Sequence, residues 1–408
     1  MSFSGEEGMK IEKLKNINWD IIDDELNWIL PRTFKEKDVK EETVVLDDKQ
    51  VTELMPRPSK KLEAGSSAEL TRILDKRHPF ETDFIMGPHD ISVFDHYSKW
   101  ICDGLLAKHE QRNEKEEHYK KNKSTVPISM DLGIQLITKK NWFYLLSFNG
   151  QMWNDEHIDV IFYYLRKKGK YDGKSTYKHT TVACIFKIWI GETFDKYVAT
   201  NGDTSVAKEE DVICEYLRGY KLIANVPWHT VDNVLIPVNV KDIHHWVLAV
   251  VSFRDRCIRV YDSYRLAGYD TIVKIEIDKM AKILPQYLSI SDFYRKREGI
   301  DWSQEPAYND KALLDSFDVV CVDNLPQQRH GSKDCGVYVV AYAEYLSWGA
   351  GIPIEDFDVN LLRTRYGALL WNYGMRKQED EAISHNEAPP KLVRPNIHSD
   401  ICEKIIIN

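Results

Sequence analysis

The chain has 408 residues, 43% hydrophobic and 29% charged, with 55 Lys and Arg against 64 Asp and Glu for a net charge of −9. That apolar content suffices for one large core or two ordinary ones and excludes a wholly disordered polypeptide. A net-negative chain has no global pull on phosphate backbones, so nucleic-acid binding is not expected, and no apolar run approaches the about 18 residues that a membrane span needs.

Taken in order, residues 1–79 read as a charged N-terminal region, linker-like around Pro56, Pro58 and Gly65-Ser66-Ser67, with short helices expected near Trp19–Trp28 and Ala68–Lys76. Its polar, acidic start is neither a secretory nor a transit signal. Residues 80–125 read as a helical segment leading into the main body. The helical pattern runs from Val93 to about Lys123, where Glu116 and Glu117 stand four residues before Lys120 and Lys121 on an exposed face. Residues 126–375 are richer in aromatic and β-branched residues and predict a compact α+β body. Within it, Ile158–Lys168 is an amphipathic helix behind the cap Asn154-Asp155. Val234–Val238 is a short strand. His245–Phe253 is a second, apolar on both faces and so placed at a sheet centre. Arg254-Asp255-Arg256 supplies a turn, and Cys257–Asp262 alternates as the hairpin partner. The tail, 376–408, is charged, contains Pro389, Pro390 and Pro395, and reads as a loose extension.

Seven scattered cysteines without a CxxC pair argue against a disulfide framework and against a zinc ribbon. They point to a reducing compartment, nucleus or cytoplasm, where a thiol stays available. Cys184, Cys257 and Cys321 lie in apolar runs that predict burial as small hydrophobes. His78, His89, His96, His109 and His118 have no metal-site spacing.

The chemistry concentrates in Leu325-Pro326-Gln327-Gln328-Arg329-His330-Gly331-Ser332-Lys333-Asp334-Cys335-Gly336 and the apolar run behind it, where Glu344 is the only charge before Leu346. A polar loop feeding a buried helix puts Cys335 at a helix N-terminus, where the macrodipole and free N–H groups favour a thiolate. Gly336 leaves room for a reacting carbonyl, and a glutamine N–H with the Cys335 backbone N–H makes an oxyanion hole. Taken singly, Cys335 reads equally as an inert core residue, His245 as a structural histidine and Asp262 as a turn residue. A nucleophilic thiol needs a base, however, and the base an orienting group. His245 and Asp262, 17 residues apart at the far ends of a predicted hairpin, are placed to supply both.

The strings His245-Trp246-Val247-Leu248-Ala249, Val260-Tyr261-Asp262-Ser263 and Pro326-Gln327-Gln328 to Asp334-Cys335-Gly336-Val337-Tyr338-Val339 resemble the signature of the ubiquitin-like-protein-specific (SUMO, or sentrin) cysteine proteases, plant members above all. The resemblance is strongest over residues 126–375 and fades toward residue 80. It implies a papain-like-clan α+β peptidase with a central mixed sheet flanked by helices and the active cysteine at a buried helix N-terminus. Cys335 is then the nucleophile, His245 the base and acid, Asp262 the orienting group. His245 is preferred to His244 because the family's base directly precedes a tryptophan. Gln328 matches the second glutamine of the family's pair, but the loop to the cysteine is one residue longer here, so Gln327 stays open.

For substrate binding the resemblance implies a Gly-Gly tunnel roofed by two tryptophans. Trp246 matches one. The other would begin a Trp-Leu-Asn-Asp motif, which here reads Met152-Trp153-Asn154-Asp155, so Met152 holds that place. Asp155 stands as a contact for the substrate tail or as a helix cap. The implied partners are a ubiquitin-like modifier, SUMO or NEDD8, and its conjugates, with no cofactor and no metal. Two other readings stay open: a protease fold that only binds a modifier, and an acetyltransferase built on the same triad.

Overall fold

The computed structural model describes residues 76–379, apart from 82, 84, 88, 107–116, 173–176, 266–268 and 356. The helix expected near Trp19–Trp28, that near Ala68–Lys76 save its last residue, and the tail beyond Glu379 lie outside the described residues.

A five-stranded sheet organises the molecule. Its strands are β3 (His179–Thr181), β4 (Asn233–Val240), β5 (His245–Ser252), β6 (Cys257–Tyr261) and β7 (Asp318–Cys321), hydrogen-bonded in that order. The outer pairs β3–β4 and β6–β7 are parallel and the inner pairs antiparallel, so the sheet is mixed. The smaller pair β1 (Thr125–Asp131) and β2 (Leu136–Lys139) stands apart as its own antiparallel sheet. All eight residues of β5 are buried, as the doubly apolar run predicts for a central strand.

Strand alternation divides the interior. Leu235, Trp246, Leu248 and Val250 face one core with helices α1 (Ile91–Cys102), α2 (Lys140–Ser147), α3 (Asp155–Tyr171), α8 (Cys335–Ser347) and α9 (Val359–Glu379). Val234, Ile236, Val238, Val247, Ala249 and Val251 face the other. There they meet α4 (Phe186–Ala199), α5 (Val212–Leu217), α6 (Tyr269–Ile290) and α7 (Phe293–Lys296). Asn154 caps α3: its side chain accepts from His157 N, and the His157 ring takes the Asn154 N–H in return.

Three expectations fail. The helix predicted from Val93 to Lys123 stops at Cys102, because Gly104 turns the chain with φ +89° and Leu105 bridges to Tyr119. Glu116 lies outside the described residues, and Glu117 meets Lys139 at 3.6 Å instead of Lys121. Cys321 is exposed, because β7 is an edge strand with a partner on one side only; Cys184 and Cys257 are buried as expected. The first residues of the tail expected to be loose from Arg376 are helical instead, since α9 continues to Glu379 with Lys377 buried and bonded to Asp131 Oδ2 at 3.0 Å.

Candidate active site

The sheet delivers the first two groups. His245 opens β5 and Asp262 follows the last residue of β6, and the antiparallel register pairs Leu248 with Tyr261, so the start of one strand lies beside the exit of the other. His245 Nε2 and Asp262 Oδ1 are 2.7 Å apart, both side chains buried. The neighbouring His244 is exposed, in a left-handed turn at φ +47°. Asp262 Oδ1 also accepts the Tyr264 N–H at 2.9 Å, which fixes the carboxylate before the histidine reaches it.

The third group arrives on a helix packed against the sheet. α8 begins at Cys335, 4% exposed, and the thiol lies within electrostatic reach of the His245 ring. With Nε2 engaged by Asp262, Nδ1 is the ring nitrogen left for the sulfur. Burial disfavours the imidazolium, but the hydrogen bond that its ring donates to Asp262 and the interactions with Asp262 and Cys335 outweigh it and raise the His245 pKa to about 9. Near neutral pH the ring is therefore a cation between two partners able to carry negative charge.

The two glutamines part ways. Gln327 Nε2 donates to the Asp262 carbonyl at 3.0 Å and Gln327 Oε1 accepts the Arg265 N–H at 3.0 Å, so this amide ties the loop to the strand exit. Gln328 is held by its backbone N–H on Ser263 O at 2.8 Å, and its Oε1 accepts from Ser263 Oγ at 3.5 Å. No acceptor for Gln328 Nε2 is found among the described residues.

Of the expected substrate residues, Met152 is half-buried and Asp155 exposed, at the first turn of α3. Asn154 caps that helix, which leaves the Asp155 carboxylate without the capping role. Trp246 is buried in the core that includes Cys335. Trp153 is not brought to the surface. Its indole N–H donates to Leu146 O at 2.8 Å, and its Cβ lies 2.8 Å from where a Cβ on Gly336 would stand. The space opened by Gly336 is thus taken by Trp153, whereas the sequence assigned it to a reacting carbonyl.

Sequence reasoning missed Arg363. From α9 its guanidinium donates to Asp334 Oδ1 through Nε (3.0 Å) and Nη2 (2.8 Å), to Leu146 O (3.2 Å) and to Gln151 O (2.7 Å), at zero exposure. Two arginines inside the run Leu361-Leu362-Arg363-Thr364-Arg365-Tyr366 were the available signal: charges amid apolar residues on a helix imply buried partners. Arg365 fits the same rule, paired with Glu344 and Asp83 with no exposure. Tyr264 and His330 were missed too; the phenol lies 2.5 Å from His330 Nδ1, and the Tyr264 ring is 6.1 Å from that of His245. Among the described residues no group of three His, Cys, Asp or Glu could hold a metal ion, and no helix is long and apolar enough to cross a membrane.

Residues 196–372 match the family described as Ulp1 protease family, C-terminal catalytic domain. The chain is 28% identical over 133 residues to human (Homo sapiens) "Sentrin-specific protease 2", covering 32% of this chain and 19% of that protein. It is 24% identical over 213 residues to "Ubiquitin-like-specific protease ESD4" of Arabidopsis thaliana, covering 52% of this chain and 36% of that protein. The chain thus spans about a fifth to about a third of the length of these curated relatives. A solved structure titled "SUMO protease Ulp1 with the catalytic cysteine oxidized to a sulfenic acid" superposes with TM-score 0.42 at 16% identity, over 71% of this chain and 98% of that one. Residues 196–372 are thus similar to the C-terminal catalytic domain of the Ulp1 family of cysteine peptidases.

Proposed function

We propose that this chain hydrolyses the peptide or isopeptide bond after the C-terminal glycine of a ubiquitin-like modifier, SUMO before NEDD8, in precursors or conjugates. The observation that carries the reading is one buried imidazole bonded to Asp262 and within electrostatic reach of the thiol at the start of α8. The relatives named for sentrin and ubiquitin-like substrates supply the substrate class, and a papain-like-clan arrangement is the frame.

In this reading the Cys335 proton already rests on the His245 ring, and the thiolate attacks the glycine carbonyl to form the C–S bond. The negative charge on the carbonyl oxygen is received by Gln328 Nε2 and the Cys335 backbone N–H, for which no acceptor is found among the described residues. His245 returns the proton to the departing amine as the C–N bond breaks. Water then hydrolyses the thioester, with His245 now the base, and frees the thiol. Asp262 holds the ring and its charge throughout. Met152 and Trp246 line the path of the modifier's tail, and Asp155 receives a basic residue near it.

The test is reaction of the full chain with SUMO, NEDD8 and ubiquitin carrying a C-terminal electrophile, beside Cys335→Ala and His245→Ala. A Cys335-dependent adduct with one probe supports the peptidase reading and names the modifier. Folded protein that forms no adduct with any of them sinks it.

A further inference from the structure

The residue before the nucleophile is an aspartate at a helix N-cap position, where its side chain would ordinarily accept a backbone N–H of the first turn. Asp334 makes no such bond. Its carboxylate is drawn to Arg363 by two N–H groups of the fork, and the other arginine bonds go to the carbonyls of Leu146 and Gln151. Two of these partners bracket the turn between α2 and Trp153, the residue that fills the space above Gly336. One guanidinium thus joins three segments that meet at Cys335. It also lies within electrostatic reach of the thiol, whose charge acts on it.

A guanidinium keeps its charge at any pH a protein survives. Buried beside a thiol it favours the thiolate, while the carboxylate of Asp334 opposes that effect. The titratable and charged groups near Cys335 include His245 of β5 with Asp262 behind it, Arg363 of α9, and Asp334 next to it in the chain. α3 faces Gly336 with the uncharged Ile158 and places His157 within electrostatic reach of Arg363, where burial, despite a hydrogen bond to Trp142 O, and then the guanidinium's charge push its pKa down to about 4.

We propose that Arg363 is a positioning residue of the Cys335 site, a fixed buried cation that favours the thiolate, with Asp334 as its regulator: the carboxylate holds the guanidinium in place and moderates its field. The proposal rests on the reading of Cys335 as the reactive thiol but not on any substrate.

The two members of the pair act with opposite sign, and that separates an electrostatic role from a purely structural one. The experiment is iodoacetamide alkylation of the full chain against pH, read peptide by peptide by mass spectrometry. The exposed Cys321 serves as internal reference in every sample. For Arg363→Gln the Cys335 curve moves to higher pH by about one unit, the scale of a lost opposite charge at close range. For Asp334→Asn it moves to lower pH, because Leu146 O and Gln151 O still hold the cation while its moderator is gone. The Cys321 curve stays fixed. Both curves moving the same way, or neither moving, overturns the proposal. If Arg363→Gln does not fold, the near-isosteric Asp334→Asn decides alone: a shift to lower pH supports the cation, and an unchanged or raised midpoint overturns it. The assay needs no turnover, so failure to cleave any modifier would count against the peptidase reading and leave this result readable.

Discussion

The two sides of the sheet are built on different principles. The side carrying α8 and α9 buries Lys140, Arg166, Lys168, Glu344, Arg363 and Arg365 among its aromatic residues, each bonded to named partners. The opposite side, under α4 to α7, is filled by Val, Ile, Leu and Phe with Trp228, Tyr216 and Tyr287, and its one fully buried charge among the described residues, Arg256, sits on backbone carbonyls. Ion pairs in an interior are poor sources of net stability but expensive to break, and they fix geometry that apolar packing leaves looser. The comparison teaches a division of labour: one face fixes the groups around Cys335 in place, the other supplies the burial that keeps the sheet folded.

Substitutions can break that division. Cys335→Ala should abolish turnover, by about a millionfold, with an unfolding midpoint close to the parent's in a denaturant titration; loss of folding would show that the thiol is structural. Gln328→Ala should cost about 10²–10³ in kcat, whereas Gln327→Ala, which frees the Asp262 carbonyl and the Arg265 N–H, should lower stability as well. Equal and purely kinetic losses would reverse the assignment of the two amides.

Glu344→Ala and Leu284→Ala sharpen the contrast at comparable cost to stability. The first leaves Arg365 buried against Asp83 alone, at about 3–5 kcal/mol. The second opens a cavity on the apolar side, at about 2–5 kcal/mol. Measured per folded molecule, only Glu344→Ala should lower turnover, because Glu344 lies on the helix that carries Cys335. If Leu284→Ala lowers it equally, the faces are not separate.

The pH dependence follows from His245. Its pKa is raised from 6.5 to about 9 in the folded chain, so the stability it confers is fully present below about pH 6.5 and is lost as pH rises through about 9. The gap in unfolding free energy between parent and His245→Ala should shrink across that window, while the Leu284→Ala gap stays level. A gap that widens with pH would contradict the imidazolium. Smallest of all, Tyr264→Phe removes a half-exposed bond to His330 and should lower turnover about two- to tenfold; no change would make the pair ornamental to the site.

Much of this was legible in the chain. Alternation and the double apolar face of β5 put His245 at a strand start, and the tight turn at Arg254-Asp255-Arg256 put Asp262 opposite it. Other features were not, for physical reasons. The run through Lys123 carries helical charge spacing, but the tertiary bridge of Leu105 to Tyr119 overrides it. β7 has the composition of an inner strand, and only pairing decides that Cys321 lies on an edge. Arg365 meets Asp83 across 282 residues, and no local pattern announces such a partner. Glu344 was visible as a lone charge in an apolar helix, but its partner was not.

The place of Arg363 in the chain also sets an order of events. Cys335, His245 and Asp262 all precede it, so a polypeptide still lacking α9 holds the thiol, the imidazole and the carboxylate without the clamp on Asp334. Contacts that close over long stretches of chain form late, because the entropy of closing the loop must be met first. With synthesis proceeding from the N-terminus, the thiol therefore acquires its final surroundings only when the last described helix docks. On the proposed reading, chemical competence then coincides with the docking of α9.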